Sequence, residues 1–137
     1  MKNNQDAKIL ICEDDTNLSM MLSLALQSLG IKNRVVRRAH EIKHAILSFG
    51  PSVLVVDYHL EDGESGQEVR TLKSAQGSLP TLLITSRRDI RKLAGFMKVE
   101  AYLPKPFSIK EFLGKINNLL QPQVTHYDKQ AEENSSS

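Results

Sequence analysis

Residues 53–63 read VLVVDYHLEDG: four aliphatic residues run directly into an aspartate, Asp57, and the chain reaches Gly63 six residues later. A short apolar run without alternation is the pattern of a strand covered on both faces. The segments on either side repeat the theme. Residues 8–12 form a buried strand that ends on Glu13, Asp14 and Asp15. A helix follows, with Leu18, Met21, Leu22, Ala25, Leu26 and Leu29 recurring every three to four residues, Thr16 or Asn17 as its cap and Gly30 as its stop. Val35 and Val36 centre a second strand, and Ile42, Ala45, Ile46 and Phe49 mark a second helix closed by Gly50 and Pro51. After the strand at 52–56, a third helix runs from Glu64 or Ser65 to about Ala75, with Val69 and Leu72 inward and Gly77 as its end. Residues 79–85 supply a fourth strand and 87–97 a fourth helix, with Ile90, Leu93, Ala94 and Met97 inward. A fifth strand at 99–103 precedes a last helix that carries Ile109, Phe112, Leu113, Ile116, Leu119 and Leu120. Strand-then-helix repeated five times predicts an α/β fold, a parallel sheet between two helix layers, with ligands collecting beyond the C-terminal strand ends.

With 137 residues, 40% of them hydrophobic, the chain matches one compact domain. We expect it at 8–121, between a flexible N-terminus at 1–7 and a polar linker or disordered tail at 122–137. No apolar run approaches the roughly 18–20 residues of a membrane span, and MKNNQDAK has no hydrophobic segment of the signal-peptide kind. A cytoplasmic location and no membrane partner are the expectation. Cys12 is the only cysteine and sits in an apolar run, so it reads as a core residue. The formal charge of +2 is small and the lysines are scattered, so no direct nucleic-acid binding is expected of this segment.

The carboxylates lie where the fold puts its ligand site. Glu13, Asp14 and Asp57 follow strands that neighbour each other in the common doubly wound orders, and unpaired carboxylates that close repel. The compensating charges on offer are a divalent ion and Lys105, at the end of the fifth strand. An all-oxygen set of carboxylates, a backbone carbonyl and waters suits Mg2+. Asp57, beside both cations, is placed to attack phosphorus as a nucleophile. Glu13 and Asp14 would hold the metal, and the backbone carbonyl of His59 is preferred to its side chain as a further ligand. Thr85 can donate its hydroxyl to a phosphoryl oxygen. Gly63 and Gly66 suit a tight turn or a positive φ, beside the surface charges Glu61 and Asp62. In YLPKPF, 102–107, a cis Lys105–Pro106 bond would aim the ammonium, although prolines alone do not select it. Tyr102 reads either as a core aromatic or as a ring alternating between buried and exposed positions.

At these residues the sequence resembles the receiver domain of bacterial two-component response regulators, from about Lys8 to Leu120. The matching stretches are ILICEDD at 9–15, VVDYHLEDGESG at 55–66, LLITS at 82–86 and YLPKPF at 102–107. The resemblance implies a doubly wound (βα)5 sandwich with strand order 2-1-3-4-5. It also implies Mg2+ at Glu13 and Asp14, Asp57 as phosphoacceptor, His59 coordinating through its carbonyl, Thr85 and Lys105 as the hydroxyl and lysine of the site, Tyr102 as a switching aromatic, and the cis bond at Pro106. Such a protein takes a phosphoryl group from a sensor histidine kinase or a histidine phosphotransfer protein. It catalyses its own phosphorylation and slow dephosphorylation, yet acts mainly as a switch, reshaping the surface of helix 4, strand 5 and helix 5. Arg87, Arg88, Arg91 and Lys92 are candidates for that output face, through which a homodimer could form. Two departures stand out: Glu61 replaces a frequent proline, which loosens the loop, and GFMKVEAY at 95–102 replaces a small glycine turn. Two other readings remain open. One is a receiver-fold interaction module that is not phosphorylated. The other is an aspartate-nucleophile phosphatase, for which a second acid and a cap are missing.

Overall fold

The computed structural model describes residues 6–76 and 78–121. Gly77 and the expected tail at 122–137 lie outside the described residues, as do residues 1–5. Five parallel strands, β1 (Lys8–Cys12), β2 (Lys32–Val36), β3 (Val53–Asp57), β4 (Thr81–Thr85) and β5 (Ala101–Pro104), form one sheet in the order β2-β1-β3-β4-β5. Five α-helices connect them: α1 (Thr16–Ser28), α2 (Ile42–Phe49), α3 (Gly66–Gln76), α4 (Ile90–Met97) and α5 (Ile109–Leu120). This is the expected doubly wound sandwich.

Strand side chains point alternately to the two faces, and here both faces are buried. Leu10, Cys12, Leu54, Val56 and Leu83 meet α2, α3 and α4, whereas Ile9, Ile11, Val53, Val55, Leu82, Ile84 and Leu103 meet α1 and α5. Both sets are aliphatic because each has a helix layer to cover it. Burial also pushes the Cys12 thiol pKa up, which suits its core role. Ala7, expected in a loose N-terminus, is buried with the α1 and α5 layer. Among the described residues no helix is long and apolar enough to cross a membrane.

Several local expectations change. Asp15, rather than Thr16 or Asn17, caps α1, its Oδ1 accepting from the Leu18 amide at 3.0 Å. Only Leu22 and Leu26 of the anticipated α1 stripe are fully buried, and Met21 and Leu29 are about half exposed, because the buried face of the helix is centred on Ser19, Leu22 and Leu26 and leaves those two outside it. The helix α3 begins at Gly66, after a two-residue ladder between His59–Leu60 and Gly63–Glu64. The helix α4 begins at Ile90, leaving Arg87 and Arg88 in the preceding loop, and β5 begins at Ala101. In front of β5, Glu100 in the unusual GFMKVEAY stretch accepts the buried Lys73 ammonium at 2.7 Å and the Thr81 amide at 2.9 Å, tying α3 to the start of β4. The last helix α5 opens with a capping box, in which Ser108 and Glu111 each accept from the other's amide at 3.0 Å.

Phe112, fully buried under the sheet and stacked on Phe107 with ring centroids 6.2 Å apart, carries much of the α5 contact. Phe112→Ala should cost about 3–5 kcal/mol, read as a lower urea midpoint with unchanged m-value.

Candidate functional site

The register of β1 on β3 pairs Cys12 with Val56, so the next residues, Glu13 and Asp57, emerge side by side at the strand ends. The backbone of Lys105, at the end of β5, donates to the Thr85 carbonyl at 2.9 Å, which fixes where its side chain starts. From there its Nζ reaches Asp57 Oδ2 at 2.6 Å and Glu13 Oε1 at 2.7 Å. Each of Glu13, Asp14 and Asp57 offers an oxygen within 4.8 Å of the others. The peptide between Lys105 and Pro106 is cis.

The two buried acids differ in what they touch. Asp57 Oδ1 accepts from the His59 amide at 3.3 Å, opposite the Lys105 contact on Oδ2. Glu13 is completely buried, and its Oε2 accepts from the Asp15 amide at 3.2 Å. Its Oε1, although at ion-pair distance from Lys105, is off the hydrogen-bonding direction and lacks a donor. Burial raises the Glu13 pKa, helped by the charge of Asp57, and the pull of Lys105 does not offset this: the value is pushed up to about 7. Partial burial works to lower the Lys105 pKa, but its contacts with Asp57 and Glu13 prevail and raise it. A buried carboxylate oxygen without a donor, facing two more carboxylates, is the arrangement that a divalent cation with oxygen preference relieves. The residues therefore fit such an ion.

The remaining residues singled out from the sequence are placed as follows. Thr85 is buried at the end of β4, and its Oγ1 accepts from the Arg87 amide at 3.2 Å. Tyr102 is half-buried on β5, against the α4 layer. The His59 side chain is exposed and stands outside the carboxylate group. Gly63 has φ +127°, as expected, but Gly66 lies in α3 for a different reason: a Cβ there would come within 2.9 Å of the Tyr58 ring. Arg88, Arg91 and Lys92 are exposed near or on α4. Arg87 is not free: Asp89 takes it in a two-pronged ion pair.

A response regulator receiver domain model matches residues 9–117, across this site and the sheet beneath it. The chain belongs to the response regulator receiver domain family. Among curated relatives, the transcriptional regulatory protein BasR of Escherichia coli is 33% identical over 116 residues, covering 83% of this chain and 52% of BasR. The DNA-binding transcriptional regulator NtrC of Proteus hauseri is 27% identical over 134 residues, 96% of this chain and 28% of NtrC. The chain thus spans about half or less of the curated relatives it matches. The non-phosphorylated HemR receiver domain of Leptospira biflexa superposes with a TM-score of 0.78 at 23% identity, covering 89% of this chain and all of that one. That likeness shows the fold, and the family match makes the chain a receiver domain of the two-component kind.

Sequence reasoning missed how this receiver domain anchors the loop after β3. Glu61 and Asp62, expected as surface charge, both reach the loop after β2. Arg37 donates to Glu61 at 3.0 Å and to Thr16 Oγ1 at 3.1 Å, and Asp62 accepts from the amides of Ala39 and His40 at 2.6 and 3.2 Å and from the His40 ring at 2.8 Å. The replacement of proline by Glu61 therefore does not leave the loop untied. Opposite charges at 37–38 and 61–62 were the available signal, but nothing in the sequence puts those loops together. Partial burial works to raise the Asp62 pKa, yet the donors from His40 and Ala39 outweigh it and lower it from 3.8 to about 2. A carboxyl lowered on folding stabilises above its unfolded pKa and loses that contribution as pH falls toward the folded value. The gap in urea midpoint between the parent and Asp62→Asn should hold constant above about pH 5 and narrow below about pH 4. A gap unchanged at low pH would mean the charge plays no part.

Proposed function

We propose that Asp57 of this receiver domain accepts a phosphoryl group from a phosphohistidine of a sensor histidine kinase or histidine phosphotransfer protein, at a site that binds Mg2+. The observation that carries this reading is the geometry around Asp57: a carboxylate held from one side by Lys105 at 2.6 Å, with two further carboxylates within 4.8 Å. In the transfer, an Asp57 oxygen bonds to phosphorus while the phosphorus–nitrogen bond breaks and its electron pair returns to the imidazole. Lys105 orients the carboxylate and then faces the oxygens of the transferred group. The Oγ1 of Thr85 accepts from the Arg87 amide, which leaves its hydroxyl hydrogen free to donate to a phosphoryl oxygen. Glu13 and Asp14, with Asp57 and the His59 carbonyl, would hold the Mg2+. A bound Mg2+ ion supplies positive charge against the phosphoryl oxygens. The acyl phosphate so formed is later hydrolysed, which resets the domain.

New contacts to the phosphoryl group shift the population between two packings of the loop after β4 and Tyr102. The α4–β5–α5 surface, with Arg88, Arg91 and Lys92 exposed, would be read by the output or by a second copy of the chain, without direct nucleic-acid binding, in the cytoplasm. Acetyl phosphate with Mg2+ should add one phosphoryl group to the intact mass of the folded parent and none to Asp57→Asn or to a chelator-treated sample. Absence of labelling in the parent by this donor and by a candidate kinase would sink the reading in favour of an interaction module that is not phosphorylated.

A protein donor would approach over α1. The helix α1 has no charged residue and exposes Met20, Met21 and Leu24. A groove of about 490 Å³ between α1 and the loop after β5 is lined by Leu18, Met21, Pro106 and Phe107 and also by Asp15 and Lys105. Apolar surface beside the nucleophile suits a docking helix. Met21→Lys should slow transfer from a phosphorylated protein donor at least roughly tenfold and spare labelling by acetyl phosphate.

A further inference from the structure

The side chain next to the phosphoacceptor points the other way. Tyr58 follows Asp57, and strand alternation turns its ring to the face of the sheet that α3 and α4 cover, where it packs against that core. The ring is fitted closely: it lies 5.0 Å from the His59 ring, edge to face, and the absence of a Cβ at Gly66 makes room for it. Over it sits the Arg87 guanidinium, 5.1 Å from the ring centroid. Arg87 is in turn gripped by Asp89, Nε to Oδ1 at 3.0 Å and Nη2 to Oδ2 at 2.9 Å, and its Nη1 lies 3.7 Å from Glu64 Oε2. Its backbone amide donates to Thr85 Oγ1 at 3.2 Å. One residue thus connects the hydroxyl of the site, through two residues of main chain, to the loop after β3.

We infer that Arg87 is a positioning residue, a strap that holds the loop after β4 against Tyr58 and Glu64 in the unphosphorylated domain and so resists the approach of Thr85 to a phosphoryl group. The inference rests on the phosphoacceptor reading of Asp57 and concerns its regulation. Any movement of Thr85 carries the Arg87 backbone with it, because the two are two residues apart and hydrogen-bonded. The Arg87 side chain is anchored on a different segment, the loop after β3, so a displacement of the loop after β4 relative to it loosens the stack on Tyr58 and the contact with Glu64. The stack on Tyr58 and the contact with Glu64 therefore belong to one arrangement only, and contacts present in one of two states bias the population toward it. A planar guanidinium is needed for this, since it stacks on the ring while its fork grips Asp89, two tasks a lysine ammonium does not combine. The strap also accounts for Gly66, whose missing side chain is what lets the ring lie where Arg87 can cover it.

The test is the initial rate at which acetyl phosphate and Mg2+ label Asp57, followed by intact mass, in the parent, Arg87→Gln, Tyr58→Leu and the double variant. Releasing the strap should raise the rate roughly fivefold in each single variant, and the double variant should be no faster than the quicker single one, since both remove the same contact. Arg87→Lys, which keeps the charge but not the fork, should behave like Arg87→Gln. If Tyr58→Leu loses cooperative thermal unfolding, Glu64→Gln, which removes the other contact between the two loops, takes its place in the cycle with the same expectation. Rates equal to the parent's, slower rates, or gains that multiply in the double variant would each overturn the strap. A parent that is never labelled would instead remove the phosphoacceptor reading, and the strap with it.

Discussion

The convergence of Glu13, Asp14 and Asp57 within 4.8 Å, with Lys105 bridging two of them, is the constraint around which the molecule is arranged. Like charges so close raise each other's cost of ionisation, and one of these carboxylates is wholly buried. Nothing local in the chain favours that meeting. It is imposed by the sheet: β1 and β3 are neighbours in register, and β5 delivers Lys105 from the edge. Two continuous aliphatic layers, one on each face, hold the strands rigidly enough for the site to persist. Strain of this kind, kept at a functional site and supported by the surrounding fold, is a common feature of sites built to receive a ligand.

How far this was legible in the sequence depends on whether a feature is set along the chain or across it. The strands were legible because aliphatic runs such as LLIT and VLVV leave few other readings, and the acids were legible because they stand where those runs stop. The matched stretches then pointed to Asp57, Thr85 and Lys105 as parts of one site. Less legible was what depends on a partner distant in sequence. Met21 and Leu29 have the spacing of core residues, yet whether they face the sheet depends on the roll of α1, which is set by Leu22 and Leu26 finding their places. Glu61 and Asp62 looked like solvated charge because their partners, Arg37 and the amides of Ala39 and His40, are more than twenty residues away. Arg87 continued the helical spacing of 90–97, but its pairing with Asp89 and its stack on Tyr58 keep it in the loop.

The alternation of the strands has a consequence for how information moves. Glu13, Asp57 and Lys105 are in phase with the residues that face α1 and α5, whereas Tyr58, Thr85 and Tyr102 are in phase with those that face α4. The carboxylates with their lysine and the hydroxyl with its aromatic neighbours therefore lie on opposite sides of one sheet, a single residue apart in the chain at Asp57 and Tyr58. The sheet acts as a partition with a doorway at its C-terminal edge, and a side chain can be exchanged on one wall without crowding the other.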